Sequence, residues 1–135
     1  MDRLEIIQRK ALRIVLNKPW FCSKKEIYSR EVFPVSVISH VNSCIFAFKL
    51  TNGSIRNNVN IGTFANAHQR VTRNRNDFII RHSNTKLSAS NLYIRGLSLY
   101  NNLPRDIKNL TSINNFKRQL KEHLYATLVL PQYLM

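Results

Sequence analysis

A proline inside an otherwise helical stretch sets the strongest limit on how this chain can fold. Apolar side chains recur at helical spacing on both sides of Pro104, within residues 96–124. Proline lacks an amide donor and keeps the preceding residue out of the helical conformation, so one continuous helix cannot run through this position. We therefore predict that one helix ends near Asn102 and that a short helix starts at Pro104. The chain should turn a corner between them.

A longer amphipathic helix is predicted after this corner, from Ser112 to Tyr125. Apolar side chains recur every three or four residues along it, at Ile113, Phe116, Leu120 and Leu124. Three basic side chains lie on its flank and far side: Lys117, Arg118 and Lys121. The pattern indicates a helix with one packed side and one basic side, and we predict that the three basic residues bind nucleic acid.

The N-terminal helix is predicted from Asp2 to about Asn17. Its apolar residues form one stripe, widened by Leu12 and Leu16, which predicts packing against more than one neighbour. The opposite side carries three basic residues: Arg9, Lys10 and Arg13. These residues form either a ridge that faces nucleic-acid phosphates or an ordinary solvated helix surface, and the sequence does not separate the two interpretations.

A buried helix is predicted over residues 35–52, which are mostly apolar and carry Lys49 as their single charge. Ser23 is placed to cap a short helix over residues 24–30, and Gly53 is a natural terminator for the buried helix. Helix should resume near Asn91.

The middle of the chain, residues 53–90, is irregular in composition and strongly basic. A segment of this length inside a compact domain is usually functional or disordered. We predict that four of its side chains contact nucleic-acid phosphate, a ligand that arginine can bind with two parallel hydrogen bonds: His68, Arg70, Arg73 and Arg75. The alternative is a flexible connector with incidental charge. A short β-hairpin is also predicted in this segment, formed by residues 78–81 and 86–90.

These features predict one mainly α domain over residues 1–135, with five to six helices around the buried helix. Residues 1–52 would form a helical part, residues 53–90 a basic irregular insertion, and residues 91–135 a second helical part. A chain of 135 residues is long enough to bury roughly two-thirds of its unfolded surface. The apolar tail from residue 128 onward either docks on the core or belongs to a larger surface.

The charge balance points to a polyanionic partner. Lys and Arg number 21 against 7 acidic residues, giving a formal charge of +14, while 44% of residues are hydrophobic. The chain is therefore too apolar for a disordered basic tail, and its surface should attract nucleic acid or, as an alternative, acidic lipid.

The residue types needed for catalysis are scattered. Phosphoryl transfer on two metals needs clustered carboxylates, but the acidic residues stand singly and no Asp-Asp pair occurs. The histidines and the two cysteines, Cys22 and Cys44, show no zinc-binding spacing. We predict no enzyme activity, no metal and no cofactor.

Neither the first residues of the chain nor its most apolar run indicates export or membrane insertion. The first residues lack the apolar core of a signal peptide, and the most apolar run, residues 32–50, is interrupted by polar residues. We predict an intracellular protein of the nucleus or cytoplasm that does not enter membranes.

Three stretches together resemble the C-terminal region of reverse transcriptase proteins of non-LTR, LINE-like retrotransposons of the jockey and CR1 type. The first is G-x-x-x-Y-N-x-L-P-x-x-I-K over residues 96–108, continued by S-x-x-x-F-K-x-x-L-K-x-H-L over 112–124. The family commonly has Trp where this chain has Tyr100. The others are L-E-I-I-Q-R-K-A-L-R-I-V over 4–15 and H-Q-R-V-T-R over 68–73, where Val71 is unusual.

The resemblance implies an accessory region that lacks the paired catalytic aspartates of the family and binds element RNA or target DNA through backbone contacts. With this resemblance, a start at Met1 suggests a truncated genomic copy or a predicted open reading frame, and a truncated copy without a function is one alternative. The alternatives are a protein-interaction module that packs against the missing upstream polymerase and a basic module that binds membrane surfaces.

Overall fold

A computed structural model describes residues 2–28, 32–55, 62–67, 76–80, 85 and 91–129, apart from the side chains of Asp2, Asn66 and Leu92. Its elements, in chain order, are α1 (Asp2–Val15), α2 (Lys24–Ile27), α3 (Val35–Thr51), α4 (Phe64–Ala67), α5 (Leu92–Asn101), α6 (Arg105–Lys108), α7 (Ile113–Leu124) and a π-helical turn, Tyr125–Val129. The prediction of a mainly α-helical chain is confirmed.

The chain divides into two compact units. The first contains residues 1–41 and 114–135, and the second contains residues 42–113. Helix α3 contributes its start to the first unit and its end to the second. The single domain, with parts 1–52, 53–90 and 91–135, stays a prediction.

In the first unit, the polar side of α1 caps the start of α3. Pro34 precedes α3 and offers no side-chain acceptor, so the first N–H groups of α3 need partners from elsewhere. The Val35 N–H donates to Gln8 Oε1 at 3.1 Å, and the Ser36 N–H donates to Glu5 Oε1 at 3.4 Å. Gln8 Nε2 in turn donates to the Phe33 carbonyl at 2.8 Å. Helix α1 is thus attached through hydrogen bonds on its polar side.

The predicted packing of the α1 apolar stripe is therefore wrong for most of its members. Ile14 and Val15 are 81% and 77% exposed, and Leu4 and Ile7 are also exposed. Within the part of the chain that the structure describes, Leu12 packs against a small buried cluster of Cys22, Ile27 and Tyr28. The physical reason is the capping of α3, which turns the polar side inward and leaves the stripe facing out.

The buried helix and the corner are confirmed. Val37, Val41, Cys44, Ala47 and Phe48 are buried along α3, whereas Ile38 is 41% exposed. Gly53 ends that helix in the left-handed conformation, with φ of 65°. Helix α5 ends before Asn102, and Pro104 is the N-cap of α6. Ser23 caps α2 in a capping box with Glu26.

Within the second unit, α5 lies very close to α3. A Cβ atom on Gly96 would come within 3.0 Å of the Ser43 carbonyl oxygen, so glycine allows the approach. The rings of Phe46 and Tyr93 meet edge to face, 5.1 Å between centroids.

The segment around Phe78 is held by the end of α5. The Asn101 side chain accepts from the Phe78 N–H and donates to the Phe78 carbonyl, both at 2.9 Å. Phe78 also forms an antiparallel bridge with Thr63. The predicted hairpin partner at 86–90 and the turn between lie outside the described residues.

Candidate nucleic-acid interface

The predicted phosphate-binding segment of the insertion lies outside the described residues. This applies to all four of its members: His68, Arg70, Arg73 and Arg75. Their role in binding stays a prediction. The remaining predicted contacts, on α1 and α7, belong to the first unit.

The basic side of α7 is open to solvent. Phe116 and Leu120 are fully buried on the packed side. Arg118 and Lys121 are exposed, and Lys117 is half-buried at the boundary between the two sides. At 3.6 residues per turn, the three basic residues share an arc of roughly 100°. They can therefore face one polyanion together.

The three basic residues of α1 differ in their surroundings. Lys10 is exposed, whereas Arg9 and Arg13 are half-buried. Arg9 Nε donates to the Glu5 carbonyl at 3.4 Å, and Arg13 Nη2 donates to the Cys22 carbonyl at 3.4 Å. Lys10 is therefore the member whose charge faces water. The part that Arg9 and Arg13 play in binding is untested.

Three acidic side chains of the described chain are engaged locally, whereas Asp106 and Glu122 are exposed, the latter on α7 itself. Glu5 caps α3, and Glu26 belongs to the capping box of α2. Hydrogen bonds from the Ser23 hydroxyl and backbone lower the pKa of Glu26. Asp77 pairs with Lys108 at 2.9 Å, which is the ion pair found in the described part of the chain. Lys10, Arg118 and Lys121 have no such partner there.

Sequence reasoning missed an aromatic turn between α1 and α2. The Cys22 N–H donates to the Pro19 carbonyl at 3.1 Å, which closes a turn with Trp20 and Phe21 at its centre. Trp20 is 82% exposed and Phe21 is 73% exposed. The signal available in the sequence was an aromatic pair directly after Lys18-Pro19, between the lysines at 18, 24 and 25.

An open cavity of about 440 Å³ lies in the second unit. Its lining residues are Phe48, Lys49, Asn52, Ser54, Thr111 and Ile113. Lys49 is the one ionisable side chain among them. Elsewhere, burial raises the pKa of the Cys44 thiol to about 12, so this thiol is not a nucleophile at neutral pH.

Two further observations bear on the earlier predictions. Across the residues that the structure places, no three His, Cys, Asp or Glu side chains come close enough to hold a metal ion. In the same residues, no helix combines the length and apolar character needed to cross a bilayer.

Comparison of the chain with protein-family models, with curated proteins and with solved structures gives no match.

Proposed function

We propose that this chain is a non-catalytic accessory region of a non-LTR retrotransposon reverse transcriptase that binds RNA or DNA through the phosphate backbone. The observation that carries the proposal is a formal charge of +14 on a chain whose described basic residues mostly lack acidic partners. Such a surface attracts any polyanion and does not read base sequence. An intracellular location, in nucleus or cytoplasm, belongs to the same proposal.

The basic side of α7 is the described surface best suited to this role. Arg118 and Lys121 are exposed on a helix whose other side is fully packed, so they are held by a rigid element. Arginine and lysine at such spacing can each neutralise one phosphate. The three stretches that resemble the retrotransposon family support the same assignment. Those over residues 4–15 and 68–73 contain predicted phosphate-binding residues, and the one over residues 96–124 contains the basic residues of α7.

The test is a salt titration of binding to single-stranded RNA and to duplex DNA. For single strands, log K falls as log salt rises, and each lost phosphate contact reduces the magnitude of this slope by about 0.7. The double variant Arg118→Ala with Lys121→Ala should therefore reduce the magnitude by about 1.4. The matched control on the same helix is Asn115→Ala with Gln119→Ala, which removes exposed uncharged side chains and should leave the slope unchanged.

The insertion is tested in the same way. Replacing Arg70, Arg73 and Arg75 together by Ala should flatten the slope further, by about 2. If all variants retain the wild-type slope, or if no binding occurs at low salt, the proposed function is wrong.

A second candidate function is docking to an upstream polymerase, and the exposed apolar side of α1 favours it. Leu4, Ile7, Ile14 and Val15 are exposed on one side of a helix, an arrangement typical of a surface that a partner covers. Under this hypothesis, an upstream fragment of the same polyprotein binds the chain. The double variant Ile7→Ser with Ile14→Ser should abolish that binding without changing the far-UV circular dichroism of the free chain.

The matched control for docking is Gln119→Ser, an exposed polar position on α7 instead of α1. It should leave fragment binding within a few-fold of wild type. Fragment binding that survives the Ile7 and Ile14 substitutions would remove α1 as the docking surface.

A further inference from the structure

The aromatic turn, residues 19–22, has features that the fold does not require. The central positions of tight turns usually hold Gly, Pro, Asn, Asp or Ser, because these residues suit turn geometry and water. Here they hold the only tryptophan of the chain and a phenylalanine. Both rings are largely exposed, so neither contributes much to the core.

The turn is held from both sides. Before it, Asn17 takes the left-handed conformation with φ of 49°, and the Lys18 N–H donates to the Arg13 carbonyl at 2.8 Å. After it, Cys22 is buried and its carbonyl accepts from the Arg13 guanidinium. Arg13 thus contacts both ends of the turn, and the two aromatic rings project from a fixed base.

The surroundings of the aromatic turn are basic. Lys18 precedes it, Lys24 and Lys25 follow it, and all three are exposed. The nearby carboxylate, Glu26, accepts hydrogen bonds from the Ser23 hydroxyl at 2.8 Å and from the Ser23 N–H at 3.4 Å. None of the three lysines forms an ion pair with an acid that the structure describes.

We infer that the aromatic turn is a stacking site for an unpaired base, and hence that the chain prefers single-stranded nucleic acid to duplex. Exposed aromatic rings beside cations are the combination that binds single strands, because every base has a π-face and every nucleotide a phosphate. A duplex hides its base faces and cannot use the rings. This inference rests on the proposed function and adds a choice of substrate to it.

The geometry assigns unequal roles to the two rings. Trp20 and Phe21 meet edge to face, with centroids 5.9 Å apart and planes at 86°. A base parallel to one ring is therefore perpendicular to the other, so only one ring stacks on a given base. Trp20 has the larger π-surface and the greater exposure, and we assign the stacking to Trp20 and a lateral contact to Phe21.

The experiment measures the affinity of the full chain for three fluorescent probes of equal length: an oligo-uridine strand, the same strand with abasic sugars, and a duplex. The wild-type chain should bind the oligo-uridine about 5-fold to 100-fold more tightly than the abasic strand, the range expected for one stacked base. Trp20→Ala should remove this difference, and Phe21→Ala should reduce it less. The emission of Trp20 should be quenched by oligo-uridine and not by the abasic strand.

Two variants separate stacking from other effects. Trp20→Leu keeps an apolar side chain but no π-face, and should behave like Trp20→Ala. Phe64→Ala removes a partly exposed ring in the second unit and should leave all three affinities unchanged. Circular dichroism of each variant checks that the helices are intact.

The outcomes distinguish this inference from the proposed function. If oligo-uridine and abasic strands bind equally, with a salt dependence and no quenching, backbone binding stands and the stacking site falls. If Trp20→Leu binds like wild type, the turn makes an apolar contact and the stacking site also falls. If no probe binds at low salt, both are wrong. A comparison of oligo-uridine with oligo-thymidine then tells RNA from DNA.

Discussion

The orientation of α1 can be tested by comparing a polar and an apolar truncation on opposite sides of the helix. Gln8 makes three hydrogen bonds: it donates to the Phe33 carbonyl and accepts from the Val35 N–H and from the Tyr28 hydroxyl, the last at 3.3 Å. At about 1 kcal/mol per neutral bond, with less for the longest, Gln8→Ala should lower the free energy of unfolding by about 2–3 kcal/mol.

The apolar comparison is Ile14→Ala. A fully buried isoleucine side chain is worth about 1.5–3 kcal/mol, but Ile14 is 81% exposed, so about a fifth of that, roughly 0.3–0.6 kcal/mol, is lost. Alanine also gains a few tenths of a kcal/mol in helix propensity. The net change should be close to zero.

The assay is urea unfolding followed by far-UV circular dichroism. With a slope near 2 kcal/mol per molar urea, Gln8→Ala should lower the midpoint by about 1 M, and Ile14→Ala should leave it within about 0.3 M. Gln8→Glu keeps both acceptor roles but places a carboxylate oxygen against the Phe33 carbonyl oxygen in place of the donor. Its midpoint should therefore fall at least as far as that of Gln8→Ala. A larger loss for Ile14→Ala than for Gln8→Ala would mean that α1 packs with its apolar stripe inward, and the orientation described above would be refuted.

Three further substitutions test the second unit, each by thermal or urea unfolding. In Gly96→Ala, the contact of the new methyl group with the Ser43 carbonyl oxygen at 3.0 Å should cost about 1–3 kcal/mol, against about 1 kcal/mol gained in helix propensity. A stability raised by this full gain would contradict the close approach. Asn101→Ala should cost about 2–3 kcal/mol, because both backbone groups of Phe78 lose their partner. The pKa of the Cys44 thiol, about 12 in the folded chain, exceeds the unfolded value of about 8.5. Stability should therefore fall as the pH rises from about 9 towards 12, and Cys44→Ala should reduce that fall. Equal pH profiles for the two chains would count against a buried, neutral thiol.

Local signals in the sequence predicted the corner at Pro104 and the packed side of α7. They did not predict every boundary: the helix expected over residues 24–30 ends at Ile27, because Tyr28 is extended, and α4 lies in the segment expected to be irregular. Pro104 broke the helical pattern by removing a donor and restricting Leu103, and α5 and α6 separate there. The spacing of Phe116 and Leu120 gave the packed side of α7 correctly, because a helix with a clear apolar stripe usually buries it.

No local signal in the sequence predicted which side of α1 packs. An apolar stripe alone does not predict which side of a helix packs against the rest of the protein. Here the first N–H groups of α3 need hydrogen-bond acceptors, because Pro34 supplies none, and the polar side of α1 provides them. Gln8 and Glu5 meet that need only once the tertiary structure brings them there. The aromatic turn was equally hard to predict, because turn propensities do not favour Trp at the centre of a turn, where Trp20 lies.

The capping of α3 by α1 has a consequence for the order of folding events. The first turn of α3 lacks acceptors of its own, so it gains its last hydrogen bonds only when α1 has formed and docked. Substitutions at Gln8 and at Glu5 should then report on the same kinetic step, with similar fractional effects on the folding rate. In synthesis from the N-terminus, α1 leaves the ribosome before its target does, so the cap is already made when the helix that needs it emerges.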